Sequence, residues 1–291
     1  MPHTQPQPPD PSAAVALLGI PYDANSSYLR GAADAPPRIR EELFGESSNR
    51  WTEDGQDLGR PGIFYEAGDL RLPLAVEPAF AAIEEAVRAI VDTGQPLISL
   101  GGDHSITYPI LRGCQSRYPD LTILHFDAHP DLYHELGGRY SHACPFARIM
   151  EERLARRLVQ VGIRTLNGHQ FDQARRFGVE IFTMRRLQRL TLTELLASLR
   201  LEGSLYISFD LDVLDPAYAP GVSHFEPGGL SVRQVLDVLQ GLRVPVVGVD
   251  LVEYNPIRDH HTQTAAVCGK LVKEFTALIL RKGRPPREDW A

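Results

Sequence analysis

Short apolar runs rich in β-branched residues recur along the chain: "AVALLGI" at 14–20, "PLISLGG" at 96–102, "LTILHFD" at 121–127, "RLVQVGI" at 157–163, "VEIFT" at 179–183, "LYISFD" at 205–210 and "VPVVGVD" at 244–250. Between them apolar residues return at helical spacing, over 77–93, 105–118, 191–200, 231–241 and 261–282. Continuous apolar strands are buried on both faces, and helices between strands impose parallel order. The pattern predicts a doubly wound α/β fold. No repeat, charge block or Gly/Ser linker divides the chain, so 13–291 is expected to be one domain. The Pro-rich start, residues 1–12, reads as a disordered tail, and the Pro/Gly-rich segment 45–62 as a surface loop.

The polar residues matter where they interrupt this pattern. Ligands gather at the carboxyl ends of strands in open parallel sheets. Three apolar runs end there in polar clusters: "GGDHS" at 101–105, "DAHPD" at 127–131 and "DLDVLDP" at 210–216. Side chains two apart on an extended chain share a face, so Asp127, His129 and Asp131 point together, as do Asp210 and Asp212, with His104 contributed by the first cluster. Each cluster also has a structural reading. Ser105 is placed to cap the following helix, and the aspartates before Pro216 to form a cap or an Asx-turn. An apolar strand, however, gains nothing structurally by ending in three ionisable groups on one side.

Four carboxylates in one crevice repel strongly unless cations neutralise them, and two divalent ions balance four acids. Imidazoles and carboxylates without thiolate suit Mn²⁺, with Fe²⁺, Co²⁺, Ni²⁺ and Zn²⁺ as chemical competitors. Paired metals generate hydroxide at neutral pH, which points to hydrolysis.

Composition narrows the field further. The 291 residues are 43% hydrophobic and 23% charged, ordinary for a soluble globular protein, and the formal charge of −7 repels phosphate backbones and argues against a nucleic-acid partner. Cys114, Cys144 and Cys268 are widely spaced and form no C-x-x-C pattern, which indicates neither a disulfide framework nor a thiolate site and fits the cytoplasm. No apolar run reaches membrane-spanning length and the first residues carry no targeting pattern, so no membrane partner is expected.

With "GGDHS" (101–105), "FDAHPDLY" (126–133), "SFDLDVLDPAYAPG" (208–221) and "DLVEYNP" (250–256), the chain resembles the ureohydrolases, the family of arginases and agmatinases, over nearly its whole length. The runs "NSSYLRGAADAPPRIRE" (25–41), "RYSHACPFARIME" (139–151) and "APGVSHFEPGGLS" (219–231) are most similar to plant-type arginases. The resemblance implies a three-layer α/β/α fold with a mostly parallel sheet, two Mn²⁺ per subunit, homo-trimers or homo-hexamers, and release of urea from a guanidino substrate. By position, one metal falls to His104, Asp127, Asp131 and Asp210 and the other to Asp127, His129, Asp210 and Asp212, with Asp127 and Asp210 bridging. It also implies His142 as the proton shuttle and Glu253 as the carboxylate gripping the guanidinium, while Asp131 helps stabilise the tetrahedral intermediate.

The substrate is less sharply drawn. The "SGN" run with which animal and many bacterial arginases read the α-carboxylate and α-amine is replaced here by "ELGGRYSHA" (135–143). Arg139, Tyr140, Ser141 or the Asn25-Ser26-Ser27 loop could supply other donors. The leading expectation is L-arginine to L-ornithine and urea. The alternative is agmatine to putrescine and urea, followed by 4-guanidinobutyrate or free guanidine. A single-metal amide deacetylase of the same fold would not need the second ligand set, and a metal-binding pseudoenzyme would have lost a ligand or Glu253. His224 in "GVSHF" and His125 on the strand before the cluster are further candidates, His125 as a ligand's neighbour or a packed core histidine, whereas His260 and His261 read as surface residues.

Overall fold

All seven apolar runs form strands in the computed structural model, which describes residues 10–286. In chain order the principal elements are β1 (Val15–Gly19), α1 (Ala35–Phe44), β2 (Phe64–Asp69), α2 (Val76–Val91), β3 (Leu97–Leu100), α3 (Thr107–Cys114), β4 (Thr122–Phe126), α4 (Pro145–Glu151), β5 (Arg157–Ile163), α5 (Gly168–Phe177), β6 (Glu180–Thr183), α6 (Met184–Leu187), α7 (Leu192–Leu199), β7 (Leu205–Asp210), α8 (Val232–Gly241), β8 (Val246–Val252) and α9 (Gln263–Arg281). Most of residues 1–12 lie outside the described residues. Asp10–Ser12 is described, and the Gln95 side chain donates to the carbonyls of Asp10 and Ala13. Only the first part of the basic C-terminal segment is described.

The strands form one eight-stranded sheet in the order β2-β1-β3-β8-β7-β4-β5-β6, with every pairing parallel. Alternation along each strand feeds two cores. Val15, Leu17, Leu124, Phe126, Ile207 and Phe209 face a core shared with α1, α7, α8 and α9. Ala16, Leu18, Leu97, Ile123 and Tyr206 face a second, covered by α2, α3, α4 and α5. This is the expected three-layer α/β/α arrangement.

From β3 the chain crosses to β4, and β7 and β8 later fill the gap between them. The central neighbours are therefore β3-β8-β7-β4, and every sequence cluster singled out above follows one of these strands. The candidate chemistry thus collects at one edge of the sheet, where its two halves diverge.

Gly101 and Gly102 explain the glycines of "GGDHS". A Cβ on Gly102 would lie 1.8 Å from the Tyr22 carbonyl oxygen, and one on Gly101 would lie 2.8 Å from that of Leu251. The chain leaving β3 is pressed against β1's exit on one side and β8 on the other. Gly102→Ala is expected to destabilise the fold by at least about 1–3 kcal/mol through backbone overpacking, read as a lower thermal midpoint.

The sequence pattern did not reveal β2, α1, α4, α5 or α6. The first carries Glu66 and Asp69 toward Arg40 at the sheet's edge. Prolines occupy the first turn of α1, and α4 and α6 span only 7 and 4 residues.

Candidate metal centre

His104 enters the crevice from a single 3-10 turn after β3. Asp103, rather than Ser105, caps that turn, accepting from the Ser105 backbone N–H at 3.0 Å. Asp103 also accepts from the Asn25 backbone N–H at 3.0 Å, and the Asn25 carbonyl accepts from the His142 backbone N–H at 3.2 Å. One buried carboxylate thus joins the first metal-candidate turn, the 25–27 loop and the histidine loop.

Around His104 Nδ1 stand Asp127 Oδ2 at 3.2 Å, Asp131 Oδ2 at 3.1 Å and Asp210 Oδ2 at 3.1 Å. Despite this company the buried nitrogen makes no hydrogen bond. Donors bound about 2.0–2.2 Å from one cation stand about 3 Å apart, which is the spacing of each of these oxygens from Nδ1. His104, His125 and Asp127 together form a group that could hold an ion. A second group adjoins it: His129 Nδ1 lies 2.8 Å from Asp212 Oδ2 and 3.4 Å from Asp127 Oδ1. Asp127 belongs to both groups. The six residues expected from sequence are brought together, but by turns and not by strand alternation: β4 ends at Phe126, Asp131 has a left-handed backbone and Asp212 lies in a 3-10 turn. The His and Asp groups so formed could hold metal ions.

Electrostatics leads to the same conclusion. Burial, reinforced by Asp212 and Asp127, pushes the Asp210 carboxyl well above its ordinary range. Burial and Asp127 raise Asp212 to about 6. Burial alone would keep His129 neutral, but Asp212 and Asp127 hold its proton up to about 12. Without cations the cluster can relieve its negative charge only by retaining protons.

Beneath the cluster runs a polar row that sequence reasoning missed apart from His125. Strand register aligns Gln160, His125, Ser208, Asp250 and Ser99 across β5, β4, β7, β8 and β3, all fully buried. Gln160 Nε2 donates to His125 Nδ1 at 3.0 Å, leaving Nε2–H to donate to Asp127 Oδ2 at 2.8 Å. On the other side, His104 Nε2 meets Ser208 Oγ at 3.0 Å, and Asp250 accepts from Ser208 and Tyr206 at 2.7 and 2.8 Å. Lone polar residues inside apolar strands were the available signal, but only register makes them a row. Such partners orient a ligand and tune its basicity. Asp250→Asn is expected to weaken metal affinity by about 10–100-fold, measured by titration of the metal-depleted chain.

His142 and Glu253 meet beside the cluster. His142 Nδ1 lies 2.9 Å from Glu253 Oε1, which also accepts from the His104 backbone N–H at 2.9 Å. His142 Nε2 lies 2.8 Å from Ser27 Oγ. Desolvation disfavours the imidazolium, yet the Glu253 charge outweighs it and raises His142 to about 9. Glu253 and Asp131 both adopt left-handed backbone conformations, with φ of 65° and 49°. Such strain in side-chain-bearing residues clusters at functional sites.

A cavity of about 210 Å³ opens above these groups, lined by Ser27, His129, Asp131, His142, Asp210, Asp212, His224 and Glu253 among others. Arg139 and Ser141, expected from sequence to hold substrate, do not line it. Exposed Arg139 pairs with Glu151 at 2.9 Å, and buried Ser141 accepts from the Ala143 backbone N–H. Tyr140 stacks on Tyr108, while His260 and His261 are exposed. No helix of the described residues is long and apolar enough to cross a membrane.

The profile of the Arginase family matches residues 13–277. Arginase 1, mitochondrial, of Arabidopsis thaliana is 46% identical over 281 residues, covering 92% of this chain and 81% of that protein. Agmatinase of Bacillus anthracis is 34% identical over 269 residues, covering 90% of each. The solved arginase of Medicago truncatula superposes with a TM-score of 0.85 at 43% identity, covering 92% of this chain and 88% of that one. Strand-end geometry, the paired donor groups and these similarities agree, and the chain belongs to the arginase family.

Proposed function

We propose that the protein is an arginase, hydrolysing L-arginine to L-ornithine and urea with two Mn²⁺ per subunit. His104, Asp127, Asp131 and Asp210 hold one ion and Asp127, His129, Asp210 and Asp212 the other. The observation that carries the reading is the convergence of three carboxylate oxygens on the unpaired His104 Nδ1, beside a second donor group and beneath a cavity containing the His142–Glu253 pair. The bound cations supply activated water at neutral pH.

The chain's own residues do the rest. Glu253 accepts the planar guanidinium in a bidentate pair, fixing its carbon over the carboxylate cluster. That contact competes for the carboxylate now paired with His142 Nδ1, and Ser27 keeps the imidazole in place through Nε2. His142 passes a proton to the departing amine.

Greater similarity to arginases than to agmatinases favours arginine. One observation favours agmatine: among the described residues no Lys or Arg lines the cavity. Urea release from arginine, agmatine, 4-guanidinobutyrate and guanidine, after reconstitution with Mn²⁺ or Ni²⁺, decides between them. Arginine with Mn²⁺ is expected to give the highest kcat/KM, and activity on none of the four would reject the proposal.

The three cysteines are free and buried, which supports a reducing compartment such as the cytoplasm. Assembly as a homo-trimer or homo-hexamer is proposed from the family resemblance, with sedimentation as its check.

A further inference from the structure

His224 belongs to the loop between β7 and α8. The preceding Ser223 is buried, donating to the Leu29 carbonyl at 2.9 Å and accepting from Asn255 Nδ2 at 2.9 Å, so the loop is tied down at the base of the histidine. The His224 ring lines the cavity, with centroids 5.3 Å from the His142 ring, 6.1 Å from that of His129 and 5.4 Å from that of Tyr28.

The other polar side chains at the cavity wall, outside the carboxylate cluster, each hold at least one hydrogen bond within the chain. Ser27 bonds to His142, Tyr133 accepts from Asn167, Thr165 donates to the Ala128 carbonyl, and Gln170 accepts from the Leu132 N–H. Neither His224 ring nitrogen has a hydrogen-bond partner among the described residues. A substrate with its guanidinium on Glu253 must direct its tail away from the carboxylate cluster, and an α-carboxylate there needs an N–H donor. With no Lys or Arg in the wall, His224 is the polar lining side chain outside the carboxylate cluster and the His142–Glu253 pair that makes no hydrogen bond at all among the described residues.

We infer that His224 is a specificity-determining residue, whose ring N–H donates to the α-carboxylate of a guanidino amino acid and so separates it from the decarboxylated amine. The inference rests on the arginase reading above. Tyr28, itself largely exposed, makes a tilted ring contact with His224, and Ser223 fixes its backbone.

The test compares full-length wild type, His224→Phe and His224→Asn, each reconstituted with Mn²⁺. Phenylalanine keeps the ring contacts and removes both nitrogens; asparagine keeps an N–H donor. For His224→Phe the KM for L-arginine should rise at least about tenfold, with kcat and the agmatine KM within about threefold of wild type. Calorimetry should show L-ornithine binding weakened at least about tenfold and putrescine binding unchanged within about threefold. Asparagine should restore L-ornithine affinity to within about threefold of wild type.

Equal losses on both substrates, unchanged ornithine affinity in His224→Phe, or asparagine as poor as phenylalanine would each overturn the assignment. A wild type that hydrolyses agmatine but not arginine would defeat the arginase reading by itself. The ornithine and putrescine titrations would still judge His224: loss of ornithine alone supports its role, and any other pattern overturns it. If the phenylalanine variant fails to fold, His224→Ala carries the same comparison.

Discussion

Asparagine at Asp127 or at Asp210 is expected to lower urea release by at least about 10³-fold and to deplete bound metal, yet to change metal-free stability in opposite directions. Either substitution removes an anion shared by both proposed metal positions. In the metal-free chain their surroundings differ. Asp127 is buried, which would raise its pKa, but His125, His104 and His129 outweigh that and hold it well below the ordinary carboxylate value. Removing its charge leaves imidazoles unbalanced, so Asp127→Asn should lower the metal-free thermal midpoint. Asp210 is pushed well upward by burial and by the charges of Asp212 and Asp127.

The pH dependence follows from these signs. A depressed carboxylate stabilises the fold above its unfolded pKa, ordinarily 3.8, and loses that contribution as pH falls through its folded value. A raised one carries a penalty at neutral pH that fades as pH falls from its folded value toward the unfolded one, and is gone below it. Asp210→Asn should therefore melt higher than wild type at pH 7 without metal, and that gain should disappear below about pH 4. Added Mn²⁺ should raise the wild-type midpoint and leave both variants nearly unmoved. Metal analysis, urea assays and melting curves at two pH values check the set. Two Mn²⁺ retained in either variant would refute its bridging position.

The sequence exposed the metal-candidate residues because Asp127, His129 and Asp131 follow an apolar run at alternate positions, although β4 ends at Phe126 and the bends after it, with Asp131 left-handed, bring them together where an extended strand was expected to. The same periodicity concealed what lies beneath them. His125, Ser208 and Asp250 are single polar residues within apolar runs, and only parallel register places them side by side. For the fold, the seven apolar runs defined the buried strands, whereas β2 is an edge strand whose Glu66 and Asp69 serve Arg40 and dilute the apolar signal. The cavity wall was the least legible part. Ser27, His142 and His224 come from three loops far apart in sequence, and nothing local in any of them records the 2.8 Å contact or the 5.3 Å ring approach that unites them. Arg139 shows the converse limit, since charge made it attractive for a carboxylate while Glu151, twelve positions along, already holds it.

Glu253→Gln should separate substrate grip from metal binding. Glutamine has nearly the same shape and retains an oxygen for the His104 backbone N–H, so metal content should stay at two per chain. Losing the charge removes the ionic bidentate partner for guanidinium, and kcat/KM is expected to fall by about 10²–10³-fold, with contributions from both KM and kcat. A second consequence falls on His142. Desolvation opposes its protonation, and Glu253 is the leading influence raising it to about 9. Without that charge the imidazole should lose its proton at lower pH, so the acid it supplies to the leaving amine disappears earlier as pH rises. The alkaline limb of residual activity should move downward by at least about one pH unit relative to wild type. His142→Asn gives the complementary result: metal and guanidinium binding persist, kcat falls by about 10²–10⁴-fold, and the pH-dependence assigned to the imidazole is lost. Together the variants test the division of labour directly. A Glu253→Gln enzyme with wild-type KM and an unmoved alkaline limb would show that the carboxylate neither grips the substrate nor holds the proton on its neighbour.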